Sequence, residues 1–386
     1  MSGTPVDDRR RTERAGLLQE CGATDATLDE LLAYNDKPVP ADVPRPVFPL
    51  ADEPHLDAWL GYEREARDRG TFAALREHFV QLQFPVRAGI SGEEAYRRAT
   101  RRGDVAAAAE YADSALSLVR PDSVDLRIVA TIAGRVPVIV AGERDDFVTL
   151  VRAFSERNEP APVPDAMGAC IVTGLNNWSR IRAYRARWEE EQGEAATEEA
   201  WAGEFQRLIP HKPLYQDRFI ILSRGPYSAI AAADAGLSGA EWLERSLAIR
   251  REHELTHYFT QRVFGVMRKN AFDELIADFV GLVRAFGEYR ADLALRFVGL
   301  EAFPRFRPGG RLEVYRGNPP LSDAAFAVVQ TLFARSARNL QTFSEANRPL
   351  LTDLAALANL TFSLTTLTLE ELASPGMPKL VAAQLS

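Results

Sequence analysis

Five residues constrain this chain more than its length does: His253-Glu254-Leu255-Thr256-His257, set inside what reads as one long helix. Ser238-Gly239-Ala240-Glu241 fits a capping box, in which serine and glutamate satisfy amides that a helix start leaves unpaired. Gly265 is a suitable residue just past the end, so this helix is expected to run to about Phe264. A second helix is expected from Asn270, with Asp273 three residues on, to about Phe286. Gly265 and the 265–270 loop turn it back antiparallel to the first. Leu255, Phe259 and Val263 form one apolar stripe, as a core-facing helix needs. On the second helix Asp273, Glu274 and Asp278 interrupt the apolar Phe272, Leu275, Ile276, Phe279 and Leu282. Carboxylates so close to a core need a partner.

The spacing of the five residues has a chemical reading. Positions i and i+4 share one helical face, so two imidazoles there can converge on one Zn²⁺. Glu254 sits about 100° round the helix, where it misses the metal but can reach a water bound to it. Two His leave one protein ligand missing, and Glu274 on the returning helix lies 17 residues beyond His257. Two His and one Glu with an open fourth position characterise catalytic zinc, since structural sites are usually closed by four protein ligands. Asp278, one turn beyond Glu274, is placed to accept the free N–H of a zinc-bound His. With His only 5 of 386 residues, a chance H-E-x-x-H is expected on the order of 1% of the time.

H-E-x-x-H followed by E-x-x-x-D on the next helix resembles the gluzincin branch of the zincin metallopeptidases. The resemblance covers about 253–278. It implies a zinc held by His253, His257 and Glu274, Glu254 as general base, and Asp278 supporting a ligand from behind. The metzincin pattern is excluded, because Thr260 and Val263 stand where its Gly and third His belong. The implied activity is hydrolysis of a peptide or other amide bond. Zinc would polarise the scissile carbonyl and acidify a water, and Glu254 would carry the water proton to the leaving nitrogen. The oxyanion needs a further donor, and Tyr227, Tyr258, His211 and Tyr315 are all candidates. Phe219 to Leu222 is a candidate for the zincin edge strand, which pairs with an extended substrate backbone; plain core is the other reading. Two further functions stay open: a zincin-fold enzyme of a small-molecule or peptide-tailoring pathway, and a non-catalytic zinc-stabilised binding protein.

Composition narrows the setting. The chain is 46% apolar and 26% charged, as expected of a soluble globular protein. Its net charge of −8 argues against nucleic acid as a partner. Cys21 and Cys170 are too few for a disulfide framework or a thiolate metal knuckle, leaving His and carboxylate as ligands. No signal-peptide pattern and no membrane-length apolar run is seen, so a cytoplasmic location without membrane contact is expected. Arginine far outnumbers lysine, as in a high-GC bacterial genome. Neither G-x-G-x-x-G nor a Walker-type loop occurs, so no nucleotide cofactor is expected. The oligomeric state is not legible.

The remaining segments predict an α+β fold. Residues 10–35 read as two short helices, before a connector with Pro38, Pro40, Pro44, Pro46 and Pro49. Residues 53–80 read as helical, with Leu56, Trp59 and Leu60 on one face, and Ser91 is expected to cap another helix. Strands are expected at Val124–Ala130, Val136–Val140, Ala169–Thr173 and Phe219–Leu222, with a turn at Ala133-Gly134. Asp145-Asp146 should cap a helix to Phe154, and a charged helix should span 178–191, with Asn177 able to cap it. Its Arg180, Arg182, Arg185 and Arg187 read as a solvated face paired with Glu189-Glu190-Glu191, an anion site being the alternative. Arg311 to Tyr315 is expected as a short strand, and Asp323–Phe343 and Asn347–Leu360 as helices. His55 and His78 are assigned to the surface and Cys170 to the interior. The expected division is 1–50, an N-terminal helical segment and connector; 51–235, an α/β lobe with the substrate-edge strand; and 236–386, a helical zinc-binding lobe.

Overall fold

In a computed structural model of the chain, residues 5–36, 43–266 and 270–385 are described. Pro38 and Pro40 of the connector, and part of the expected 265–270 loop, lie outside the described residues. The fold is α+β, mainly helical with one four-stranded sheet. No described helix is long and apolar enough to cross a membrane.

The chain divides into two compact units: Met1–Leu50 with Thr131–Ala133 and Gly225–Ser386, and Ala51–Ala130 with Gly134–Arg224. The boundary thus falls near 225, about ten residues before the expected 235. The N-terminal segment is no separate lobe. Helices α1 (Pro5–Glu20) and α2 (Asp25–Tyr34) place Leu18, Leu31 and Leu32 in one hydrophobic core with Leu275 and Leu332.

In the unit of residues 51–130 and 134–224, Gly70 at φ 86° separates α3 (Leu56–Arg69) from α4 (Thr71–His78). Leu56 and Trp59 are buried, Leu60 half-buried. Helix α5 (Glu94–Arg102) starts after Glu93 and is not capped by Ser91, whose amide donates to Glu159 Oε1 at 2.9 Å. Strands β1 (Asp125–Thr131) and β2 (Gly134–Ala141) come next, then α6 (Arg144–Phe154) and β3 (Ala169–Asn176). Asp146 does not cap α6; it accepts the amides of Val119 and Arg120 at 2.6 and 2.9 Å. Asn177 does cap α7 (Trp178–Gln192), accepting from Ser179 and Arg180 amides at 3.0 and 3.2 Å. After α8 (Glu198–Leu208), which the sequence reading missed, β4 (Gln216–Ser223) completes the sheet.

The sheet order is β1-β2-β4-β3. β4 pairs parallel with β2 (Val138 with Ile220) and antiparallel with β3 (Cys170 with Ile221). Hydrogen-bonded on both sides, β4 is an inner strand and offers no edge to a substrate backbone. Its Phe219-Ile220-Ile221-Leu222 run is fully buried, as an inner strand covered on both faces requires. The basic run on α7 is only partly a solvated face. Arg185 pairs with Glu189 at 2.6 Å, but Arg180 is buried and donates to Asp217 Oδ1 at 2.6 Å. Asp217 also accepts from Trp59 Nε1 and Asn177 Nδ2, each at 2.8 Å. His55 is buried, and His78 is half-buried beside Glu65, so neither is a plain surface residue. Cys170 is buried as expected.

The other unit continues with α9 (Ala232–Ala235), α10 (Gly239–Phe264) and α11 (Ala271–Phe286). The Ser238 capping box, Gly265 at φ 72° and the Asn270 cap all form. Every residue of α11 from Ala271 to Val283 is buried, so this helix runs through the core. On α10, Leu255 and Phe259 are buried and Val263 is half-buried. Around this pair stand α12 (Ala291–Val298), α13 (Asp323–Ala346), α14 (Pro349–Thr352), α15 (Leu354–Thr365), α16 (Leu369–Ala373) and α17 (Met377–Leu385). Arg311–Tyr315 is a 3-10 turn and not a strand. The backbone enters it through a crossing only glycine permits: a Cβ on Gly310 would lie 2.5 Å from the Val298 carbonyl and 2.8 Å from Gly299 Cα.

Candidate metal centre

The α10–α11 pair sets the geometry. On α11, Gly281 meets Ile249 of α10 so closely that an added Cβ would sit 3.0 Å from the Ile249 carbonyl. That contact lies one turn from His253 and Asp278 along the two helices, and it lets their backbones approach. The contact of Gly281 with residue 249, and of residues 274 and 278 with 257 and 253, shows the antiparallel course.

His253, His257 and Glu274 converge, all three buried. His253 Nε2 lies 3.1 Å from His257 Nε2 and 3.4 Å from Glu274 Oε2, and His257 Nε2 lies 3.5 Å from Glu274 Oε1. Three donors bound tetrahedrally at zinc distances would stand about 3.3–3.4 Å apart. Two ring nitrogens and a carboxylate facing one another in a dry interior are poorly satisfied without a cation, and Glu274 Oε2 has no hydrogen-bond partner. The residues present therefore fit a divalent metal with His₂Glu ligation. Burial opposes charge on the His253 ring, but Asp278 and Glu274 outweigh it and push the imidazole up to about 10. Burial likewise raises Glu274, yet the two imidazoles hold its carboxyl well below the ordinary range. The two shifts are reciprocal, each expressing the attraction between imidazole and carboxylate in a dry interior.

Behind the rings lies a buried polar cluster. Asp278, fully buried, faces His253 Nδ1 at 2.9 Å through Oδ1. An N–H on Nδ1 leaves the Nε2 lone pair toward Glu274, the tautomer a metal ligand needs. The same Oδ1 accepts from the Tyr227 hydroxyl at 2.7 Å, and Oδ2 accepts from Arg311. Arg311 also donates to the Tyr227 hydroxyl at 2.9 Å and to Ser228 Oγ at 3.0 Å. The Tyr227–Ala229 turn holds Ser228 and Ala229 at φ 50° and 55°. Such left-handed residues cost about 1–2 kcal/mol each, and the Tyr227 amide bond to Ser246 Oγ at 3.0 Å helps hold the turn.

Of the expected residues, the structure brings together His253, His257, Glu274 and Asp278. Glu254 is half-buried on the next position of α10, and among the described residues its carboxylate has no hydrogen bond or ion pair. The four candidate oxyanion donors separate. Tyr227 is committed behind His253 and faces away from the three donor atoms. Tyr258 is fully buried, and His211 is exposed on the other unit. Tyr315 remains, close enough to Glu274 to feel its charge. Burial raises its phenol, Arg311 pulls it down, and Glu274 raises it further, so it stays protonated. Sequence reasoning missed Arg311 altogether; it lies 33 residues past Asp278 with no motif to mark it.

No curated protein and no solved structure matches the chain. A family model does match, over residues 16–376, which include every residue of the cluster. The chain belongs to this family, described as a family of unknown function, DUF7005.

Proposed function

We propose that this protein is a zinc-dependent hydrolase of the metallopeptidase type, acting on a peptide or other amide bond. The observation that carries the reading is the convergence of His253 Nε2, His257 Nε2 and Glu274 at 3.1–3.5 Å, the edge length of a tetrahedral zinc site. Three protein ligands leave a fourth position for water or substrate, which distinguishes a catalytic from a structural zinc. Zinc bound there would supply Lewis acidity to the scissile carbonyl and make water a nucleophile near neutral pH. The chain's own residues do the rest. Asp278 fixes the His253 tautomer, and Arg311 and Tyr227 fix Asp278. Glu254, without a competing partner among the described residues, takes the water proton as the new C–O bond forms. It returns that proton to nitrogen as the C–N bond breaks. Tyr315, protonated beside Glu274, donates to the oxyanion.

Metal analysis of the purified protein is expected to give about one zinc per chain, lost in His253→Ala. Glu254→Gln is expected to keep the zinc and lose cleavage of whatever sequence a peptide library identifies. Metal-free wild type prepared without chelator would overturn the zinc reading. Cleavage that survives Glu254→Gln would overturn the assigned base. Zinc without any library cleavage would favour a zinc-stabilised binding protein.

A further inference from the structure

The 3-10 turn Arg311–Tyr315 is tied to α11 at both ends. At its start, Arg311 Nη2 donates to Asp278 Oδ2. At its end, the Tyr315 carbonyl accepts from the Tyr34 hydroxyl at 2.7 Å, and the same hydroxyl accepts from the Ala271 amide at 2.9 Å. Ala271 opens α11, and its N–H is one of the four that a helix start leaves unpaired. Tyr34 therefore joins the last residue of the turn to the first residue of the helix. Residues 271, 274 and 278 share one face of α11, so the turn runs back along that face with Glu274 between its two anchors. This backbone course agrees with the charge of Glu274 acting on the Tyr315 phenol.

Helix α2 ends at Tyr34, and one turn earlier its Glu30 holds the chain a second time. Glu30 Oε1 accepts from the Ser322 amide at 2.6 Å, and its Oε2 accepts from the Ser322 hydroxyl at 2.7 Å. Positions 30 and 34 share a helical face, so α2 presents both groups to residues 315–322. Between those contacts the chain closes on itself. The Leu321 amide donates to the Arg316 carbonyl at 2.8 Å, and Arg316 Nη2 donates to the Leu321 carbonyl at 2.8 Å. Gly317 stands at φ 87° against the Tyr34 ring, where an added Cβ would lie 3.3 Å from Tyr34 Cδ2. Leu31 and Leu32 seat α2 itself in the core that holds Leu275 of α11.

We propose that Tyr34 and Glu30 are positioning residues for the hydrolysis. The Tyr34 hydroxyl fixes the Tyr315 backbone against the first turn of α11, Glu30 fixes the far end of the same segment, and together they keep the Tyr315 phenol aimed at the oxyanion. The inference rests on the hydrolase reading and on Tyr315 as its oxyanion donor. Because the effect passes through Tyr315, removing either group displaces a donor and leaves the ligands in place.

Steady-state kinetics on the library-derived peptide test it. Tyr34→Phe keeps the ring and removes the hydroxyl. It is expected to lower kcat about tenfold, with KM and zinc content unchanged, because a misplaced donor is lost to the transition state alone. Tyr34→Phe/Tyr315→Phe is expected to be no slower than Tyr315→Phe, since the hydroxyl acts through a phenol that is already gone. A residue that only stabilised the fold would leave kcat of the zinc-loaded protein unchanged. Glu30→Ala should lower kcat about threefold at constant KM, which covers poor folding of Tyr34→Phe. Hydrogen exchange of the full chain without substrate gives a readout apart from turnover. In Tyr34→Phe the amides of 271 and 315–322 should exchange about tenfold faster, and those of 250–260 should not change. Wild-type cleavage with unchanged kcat in Tyr34→Phe, or in Glu30→Ala where Tyr34→Phe does not fold, overturns this inference and leaves the hydrolase reading standing. So does a double variant about tenfold slower than Tyr315→Phe, or unchanged exchange at 271 and 315–322. A wild type that binds zinc and cleaves nothing overturns the hydrolase reading, and this inference with it.

Discussion

Asp278 gathers contacts from three stretches of chain: His253 on α10, Tyr227 in a strained turn, and Arg311 in a 3-10 turn. Each contact serves the orientation of one imidazole. Asp278→Asn is therefore expected to weaken zinc binding about 10–100-fold, measured by competition with a chromogenic chelator. Tyr227→Phe removes one bond to Asp278 and keeps the others, so its loss should be smaller. Tyr315→Phe is expected to lower kcat about 10²–10³-fold while zinc content and KM hold, as steady-state kinetics on a library-derived peptide would show. The cluster of His253, His257, Glu274 and Asp278 was legible in the sequence because one helical turn relates His253 to His257 and one relates Glu274 to Asp278. Arg311, the place of Tyr227 behind His253 and the choice of Tyr315 were not legible. They arrive through turns whose conformation is set by distant contacts, and spacing carries no trace of them.

Between elements the decisive contact is Gly281 against Ile249. Gly281→Ala puts a methyl carbon 3.0 Å from the Ile249 carbonyl, so α10 and α11 must part by a few tenths of an ångström. A loss of about 1–3 kcal/mol in urea denaturation is expected, together with weaker zinc binding. In the other unit, Arg180 joins α7 to β4 through buried Asp217. Arg180→Met leaves that carboxylate, which burial already raises, without its cation. It should cost about 3–5 kcal/mol by the same measurement. Helix ends were readable where the cap is local, as at Ser238, Asn270 and Asn177. Ser91 misled because its amide is taken by Glu159, 68 residues away. Arg311–Tyr315 misled because the Gly299–Gly310 crossing forces a turn on residues that would otherwise suit a strand. Phe219–Leu222 read correctly as a strand, but periodicity cannot say whether a strand lies inside a sheet or at its edge.

Over the whole molecule, the proposed zinc adds stability only to the folded chain. Removing metal held at about 100-fold above its Kd withdraws about 2.7 kcal/mol. For a unit of this size that is a drop of about 5–10 °C in Tm, to be read by calorimetry with and without chelator. The α+β class was legible from local patterns, whereas the grouping of residues 1–50 with 225–386 was not. It depends on Leu18, Leu31 and Leu32 meeting a core most of whose members lie about two hundred positions or more further on. That discontinuity has a consequence for synthesis. The first helices leave the ribosome long before the rest of their core, while the whole of the sheet-bearing unit is completed by Arg224. At roughly 5–20 residues per second, the proposed ligands emerge seconds before Arg311 does. For that interval the nascent chain displays two imidazoles and a carboxylate, with Asp278 beside them but without the guanidinium that holds Asp278. Metal loading should therefore follow chain completion, and in a translation reaction halted before Arg311 the chains should leave zinc in the medium.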